Sequence, residues 1–337
     1  MLEKRRILDS SDFINCLRKR KTSYHDNYLA MYSSWLGGFV TDPMLMVVPV
    51  DDHIVHRGDG IFEAFKCVDG NIYLLNRHLD RLEYSARITQ LPIPVARHEL
   101  VDIICQTVKT GRSPNCMVRV FVSRGPGGFT TDPYECPETQ LYIIVTSLKS
   151  PPEELYQKGA SLKTSHIPIK QSYFANVKSC NYLPNTLMHK EAVDAGVNFT
   201  VSVDERGFLG EGSTANIGIL SQDGALLVPK FHRILRGTTV TRVLELAQDL
   251  VSEGKLSRVA EADISPQQAY EAREVMMFGT TIDVVPIITF DGHRIGGGVP
   301  GPLARILLEL LKKDQHLGEG VLTPVWDKPA KEGMDGH

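Results

Sequence analysis

The sequence predicts an α+β chain of two domains. Three features carry that expectation. The first half alternates strand-like runs with two helical patterns, as when helices lie on an antiparallel sheet. A proline-rich polar stretch, Ser150-Pro151-Pro152-Glu153-Glu154, then interrupts the pattern. And 337 residues suffice for about two domains, each with its own core. The expected boundaries are an N-terminal extension at 1–38, a small α+β domain at 39–150 and a linker at 151–158. A large domain at 159–317 and a loosely held tail at 318–337 follow.

The elements follow in order. The extension holds one expected helix, from Asp12 to Arg20, packed on the body. Phe39-Val40 and the run Met44 to Val50 look like strands, as does Gly60 to Cys67, alternating around Ile61, Phe62 and Phe65. Asp69-Gly70 is a hairpin turn, after which Ile72 to Leu75 resumes the strand. Helical spacing covers Asn76 to Ile88 and Glu99 to Thr110. Strands at Met117–Ser123 and Gln140–Thr146 flank a Gly/Pro-rich loop. In the second half, helices are expected at Leu183–Ala195, Thr239–Gly254 and Gly301–Lys313, with a short one capped by Ser265. Glu274 to Phe278 is a short apolar strand that ends in Gly279-Thr280-Thr281.

Composition narrows the function. A formal net charge of -3 gives no electrostatic reason to expect nucleic acid or membrane as a partner. No apolar run approaches a membrane span. The six cysteines are scattered, without paired Cys or His spacing, so neither a metal site nor a disulfide framework is expected. Reduced thiols point to the cytoplasm. The basic runs Lys4-Arg5-Arg6 and Arg18 to Lys21 raise organelle targeting as an alternative, but Glu3, Asp9, Asp12 and Asp26 interrupt them.

The chemistry concentrates in two segments. Asn176-Val177-Lys178-Ser179-Cys180-Asn181-Tyr182-Leu183 sets a lysine among small residues ahead of a helix. Phe208-Leu209-Gly210-Glu211-Gly212-Ser213 sets a glutamate in a Gly-flanked turn. An amine that condenses with an aldehyde and a carboxylate that keeps a pyridine nitrogen protonated are what pyridoxal phosphate needs from a protein. Three further segments can hold a phosphate: Arg81 on a helix, Gly237-Thr238-Thr239 at a helix start, and Gly279-Thr280 after a strand.

The order Arg81, Lys178, Glu211, Gly237-Thr238-Thr239, Gly279-Thr280 resembles the class IV, or fold type IV, pyridoxal-phosphate enzymes. These are the branched-chain aminotransferases, D-amino-acid aminotransferases and aminodeoxychorismate lyases, and the likeness covers roughly residues 45–310. The resemblance implies a homodimer with pyridoxal 5'-phosphate. In it, Lys178 carries the cofactor as a Schiff base and is the catalytic acid and base. Glu211 pairs with the ring nitrogen and Tyr182 approaches the phenolic oxygen. Arg81, Gly237, Thr238, Thr239, Gly279 and Thr280 hold the phosphate. Arg57, Phe62, Arg119, Arg124 and Thr281 are the implied substrate contacts, Arg119 as the arginine that meets a substrate carboxylate. The apolar Phe62, Phe65, Val120 and Phe121 are expected to exceed what a lone small sheet needs, in keeping with a dimer.

Within that family the short Lys178–Tyr182 spacing favours the D-amino-acid aminotransferase and lyase branches over the branched-chain one. So does the likeness of Val55-His56-Arg57-Gly58, and of the preceding Tyr32-Ser33-Ser34, to plant branched-chain-aminotransferase-like proteins with D-amino-acid aminotransferase and lyase activities. The bacterial D-amino-acid enzymes carry an Arg-x-His clamp where this chain has Phe129-Thr130-Thr131. Glu63-Ala64 stands where the bacterial lyase has threonines, which favours transamination. The expected activity is amino-group exchange between a small amino acid, leaning to D, and a 2-oxo acid. Branched-chain L-amino-acid aminotransferase and 4-amino-4-deoxychorismate lyase are the alternatives, and a pyridoxal-phosphate fold kept only for binding is the non-enzyme one.

Overall fold

Strands in this chain sort into two sheets according to which side of the linker they come from, with one exception. A computed structural model describes residues 7–326. Six strands precede the linker: β1 (Tyr28–Ser33), β2 (Gly38–Val40), β3 (Gly60–Val68), β4 (Asn71–Tyr73), β5 (Cys116–Ser123) and β6 (Gln140–Ser147). Nine follow: β7 (Ala160–Thr164), β8 (Phe199–Val203), β9 (Leu209–Gly212), β10 (Asn216–Leu220), β11 (Ala225–Pro229), β12 (Arg258–Ala262), β13 (Glu274–Gly279), β14 (Asp283–Phe290) and β15 (His293–Arg294). The exception is β16 (Leu322–Pro324), which returns to the first sheet beside β4.

The first sheet runs β16-β4-β3-β5-β6-β1-β2 and is antiparallel throughout. Its long strands alternate, and one face is covered by the helices Leu75–Thr89 and Arg97–Gly111. Ile61, Phe65, Leu79, Leu82, Ile104, Val118 and Val120 close that core. The second sheet runs β12-β11-β10-β13-β14-β7-β8-β9, with β15 paired to β14. Its β10, β11 and β13 are buried from end to end, since apolar side chains cover both faces. The helices Thr238–Ser252 and Pro302–Leu317 pack on one of them. The α+β, fold type IV expectation is borne out by the solved neighbours described below.

The structure departs from the expected boundaries in several places. β1 and β2 belong to the first sheet, so the small domain starts inside the expected extension, at Tyr28. The N-terminal helix forms at Ser10–Lys19 but buries none of its residues. Met44 to Val50 is not a strand: Pro43 and Pro49 lack N–H donors, and a single helical turn at Pro43–Leu45 replaces it. Most of the linker, Glu153–Lys158, is helical. The expected loose tail is tied down as far as Trp326: Val325 enters the first core and its amide donates to Gly70 O. The basic run at residues 4–6 and the end of the tail, 327–337, lie outside the described residues. Among the described residues no helix is long and apolar enough to cross a membrane.

Candidate active site

Lys178 is placed by strand-like contacts to the small domain, although the chain has already crossed the linker. The Phe62 amide donates to Lys178 O at 2.9 Å and the Cys180 amide to Gly60 O at 2.8 Å. Val177 is buried in the small-domain core, and the Lys178 amide meets Ser85 Oγ at 3.2 Å. The lysine therefore sits at the seam of the two domains. Its Nζ is 3.3 Å from Tyr182 Oη and 4.5 Å from the centre of the Phe62 ring. Burial, and then the Arg81 charge, bring the amine down from 10.5 to about 8.

A cavity of about 330 Å³ surrounds it. Lys178, Tyr182, Glu211, Arg81, Gly237, Thr238, Thr239, Gly279, Thr280 and Thr281 all line it, together with Phe62 and Arg119. These come from separate stretches of chain on both sides of the linker, so most of the residues singled out in the sequence meet in one place. Glu211 lies on β9 itself, not in a turn as its glycines suggested. Its Oε2 accepts from the Leu235 amide at 3.1 Å. Burial pushes the carboxyl up, opposed by the Lys170 charge and by that amide. Burial also pushes the Tyr182 phenol up, so it stays protonated and able to donate.

At the opposite side the cavity is built for an anion. The Thr238–Ser252 helix starts at Gly237 with no side-chain cap, leaving its first amides to whatever lies in front of them. Gly237 is required there: a Cβ would stand 2.0 Å from Asn216 Oδ1. Asn216 Nδ2 in turn holds Leu235 O at 2.9 Å. Asn176 ties the same loop twice, to Phe231 O at 2.7 Å and from the Arg236 amide at 3.1 Å. Arg81 reaches the helix start from the small domain.

Two expected substrate contacts lie elsewhere. Arg57 spends its guanidinium on the carbonyls of His56, Phe129 and Thr130 and does not line the cavity. Arg124 makes a two-point pair with Asp59, at 2.9 and 3.1 Å, and also holds Gln90 O. Both brace loops. Arg119 differs: it lines the cavity and donates only to the Thr146 hydroxyl, at 3.1 Å, with no carboxylate beside it among the described residues.

Sequence reasoning gave no place in the site to four residues. Glu63 and His78 lie behind Arg81, Lys170 lines the cavity with its ammonium 5.2 Å from the Tyr182 ring centre, and Asn185 lines it from the helix after Lys178. Asn185 Nδ2 donates to Ser213 O at 2.6 Å while its buried Oδ1 has no partner. One signal was available: His78 and Arg81 are three apart, hence on one helix face.

Residues 60–290 match the family Amino-transferase class IV. The chain is a class IV aminotransferase. The aminotransferase is 39% identical over 292 residues to "D-amino-acid transaminase, chloroplastic" of Arabidopsis thaliana, covering 86% of this chain and 78% of that one. It is 30% identical to a putative branched-chain-amino-acid aminotransferase of Methanocaldococcus jannaschii, over 82% of this chain and 94% of the other. Among solved structures it is similar to the T.th. branched-chain amino acid aminotransferase with pyridoxamine 5'-phosphate, at TM-score 0.82 and 27% identity, covering 88% and 99% of the two chains. The same enzyme complexed with N-(5'-phosphopyridoxyl)-L-glutamate gives TM-score 0.81. Family, enzyme class and fold expected from the sequence are thus borne out.

Proposed function

We propose that the aminotransferase exchanges an amino group between a small D-amino acid and a 2-oxo acid. Pyridoxal phosphate is the cofactor, and the cavity fits it. An uncapped helix start and Arg81 suit the phosphate, Glu211 suits the ring nitrogen, and Lys178 lines the same cavity. Asn185, whose buried Oδ1 has no partner, also lines that space. When bound, the cofactor supplies an aldehyde for the lysine and a ring that withdraws electrons from the substrate Cα.

The chain's own residues do the rest. Lys178, brought down to about 8, has a free-amine fraction at neutral pH and moves a proton at the substrate Cα. Tyr182, 3.3 Å from that amine, would donate to the cofactor's phenolic oxygen. Glu211 would hold the ring proton. Phe62, stacked on Phe121 at 5.7 Å and edge-on to Tyr182 at 5.1 Å, walls the site against water. Arg119 offers a guanidinium fork to a substrate carboxylate, and Thr281 lines the same cavity.

The observation that carries the D-amino-acid reading is the 39% identity to a protein named for that activity. The branched-chain reading has its own support in the solved neighbours. Coupled assays with D-alanine and L-leucine as donors, each with 2-oxoglutarate, decide between them: turnover of L-leucine alone overturns the proposal. Rapid pyruvate and p-aminobenzoate release from aminodeoxychorismate, far above any exchange, installs the lyase.

We read the working unit as a homodimer, on a different surface from the one the sequence suggested. Phe65 and Val120 are spent in the core, and Phe62 lines the cavity. Among the exposed apolar residues, Trp35, Leu36 and Phe39, at 48, 46 and 41% exposure, lie together on the β1–β2 hairpin at the sheet edge. Sedimentation showing an active monomer refutes this. We read the compartment as the cytoplasm; organelle import of a fluorescent fusion overturns it.

A further inference from the structure

Beneath the phosphate end of the cavity lies a buried carboxylate whose presence packing alone does not explain. Glu63 is on β3, where alternate residues face opposite ways. Phe62 and Ala64 line the cavity; Ile61, Glu63 and Phe65 point to the Leu75–Thr89 helix and are fully buried. Glu63 therefore has no access to substrate, and its contrast with the lyase threonines says nothing directly about reaction type. Its partners show what it does. Oε1 accepts from Arg81 Nε at 2.7 Å, and Oε2 accepts from Arg81 Nη2 at 2.8 Å and from His78 Nδ1 at 2.6 Å. Burial pushes this carboxyl up, but Arg81 and His78 outweigh it and hold it at about 2.

The contacts continue to the helix start. A carboxylate only accepts, so His78 carries its proton on Nδ1. Burial pushes the imidazole down, so the ring is neutral near pH 7 and Nε2 is an acceptor. Thr238 Oγ1, 3.2 Å away, donates to it. That fixes the hydroxyl of the first helical residue toward the small domain. Arg81 meanwhile has given three of its five N–H groups, two to Glu63 and one to Arg236 O at 3.0 Å, and keeps two for an anion.

We propose that Glu63 and His78 are positioning residues for the cofactor phosphate. Through them one carboxylate fixes both anion donors, the Arg81 fork directly and the Thr238 turn by way of His78. The inference rests on the cofactor reading above. A buried ion pair is seldom retained for stability, because the desolvation of its charges offsets the attraction. Here it makes two domains agree on the position of one anion: Glu63, His78 and Arg81 come from the first, Thr238 from the second.

The test compares pyridoxal phosphate with pyridoxal, which lacks the phosphate, on apo protein by the visible band each forms with the lysine. Wild type prefers the phosphorylated form. In Glu63→Gln, and to a smaller degree in His78→Asn, that preference falls by about tenfold or more, because an oriented charged hydrogen bond is lost. Pyridoxal binding stays within a factor of about two, since its own contacts are kept. The 31P resonance of bound cofactor moves in both variants. An unchanged preference overturns the proposal. So does an equal loss for both ligands, which marks a general packing defect, and so does loss of the fold in both variants. A wild type that forms no band with pyridoxal phosphate fails at the cofactor reading itself, a result distinct from all of these.

Discussion

Replacing Lys178 by methionine should stabilise the apo protein while abolishing its activity. Methionine keeps most of the alkyl stem and removes the amine. Burial, reinforced by the Arg81 charge, lowers this lysine from 10.5 to about 8, so the folded state disfavours the ammonium relative to the unfolded chain. That difference is worth roughly 3 kcal/mol wherever both states are protonated. The sign follows from which state holds the proton more tightly. The unfolded chain does, so stability rises with pH between about 8 and 10.5, and the penalty is in full force below 8. At pH 7 Lys178→Met should therefore melt about 4 °C higher than wild-type apo protein, taking the entropy of unfolding for a chain of this size. Near pH 10.5 the gain should vanish. Thermal scans of both apo proteins at the two pH values measure this. Equal melting at pH 7, or a gain of the same size at both pH values, refutes the idea that the cavity selects the free amine.

Three other variants probe the remaining parts of the site. Glu211→Gln should keep the visible cofactor band and lower kcat and kcat/KM together; a change in KM alone contradicts its place at the ring nitrogen. Arg119→Ala should harm dicarboxylic substrates by about 1.5–3 kcal/mol in kcat/KM and spare monocarboxylic acceptors that use other contacts; equal losses for pyruvate and 2-oxoglutarate count against it. Arg124→Ala should leave the substrate KM unchanged and cost about 1–3 kcal/mol in urea unfolding, because Asp59 and the Gln90 carbonyl lose their donor; a large rise in KM with unchanged stability restores it to the substrate site.

The sequence made the cavity lining legible because each element of it announces itself locally. A lysine among small residues, a glutamate between glycines and a Gly-Thr-Thr before an amphipathic run are each written within a few positions. What lies behind the lining is not. Glu63 reads as a contrast with the lyase threonines, and only the fold shows that its face holds Arg81 and His78 rather than solvent or substrate. Arg57 and Arg124 show the reverse. Their type suits a carboxylate, yet backbone carbonyls and Asp59 occupy them first, and such partners are invisible until loops are placed. β16 was missed for a different reason: Leu322-Thr323-Pro324 is too short to display a period, and pairing with β4 makes it a strand.

That late strand ties the order of synthesis to the order of folding. The six strands up to Ser147 emerge together, but their sheet still lacks its neighbour for β4, the cover of Trp326 over Gly70 and the Val325 side chain in its core. All three arrive only after the whole of the large domain has been made. During that interval the rim of β4 is bare and open to pairing with another nascent chain. The small domain is thus first to begin and last to finish, and the lysine segment stitched to β3 is a second thread sewn through it in between.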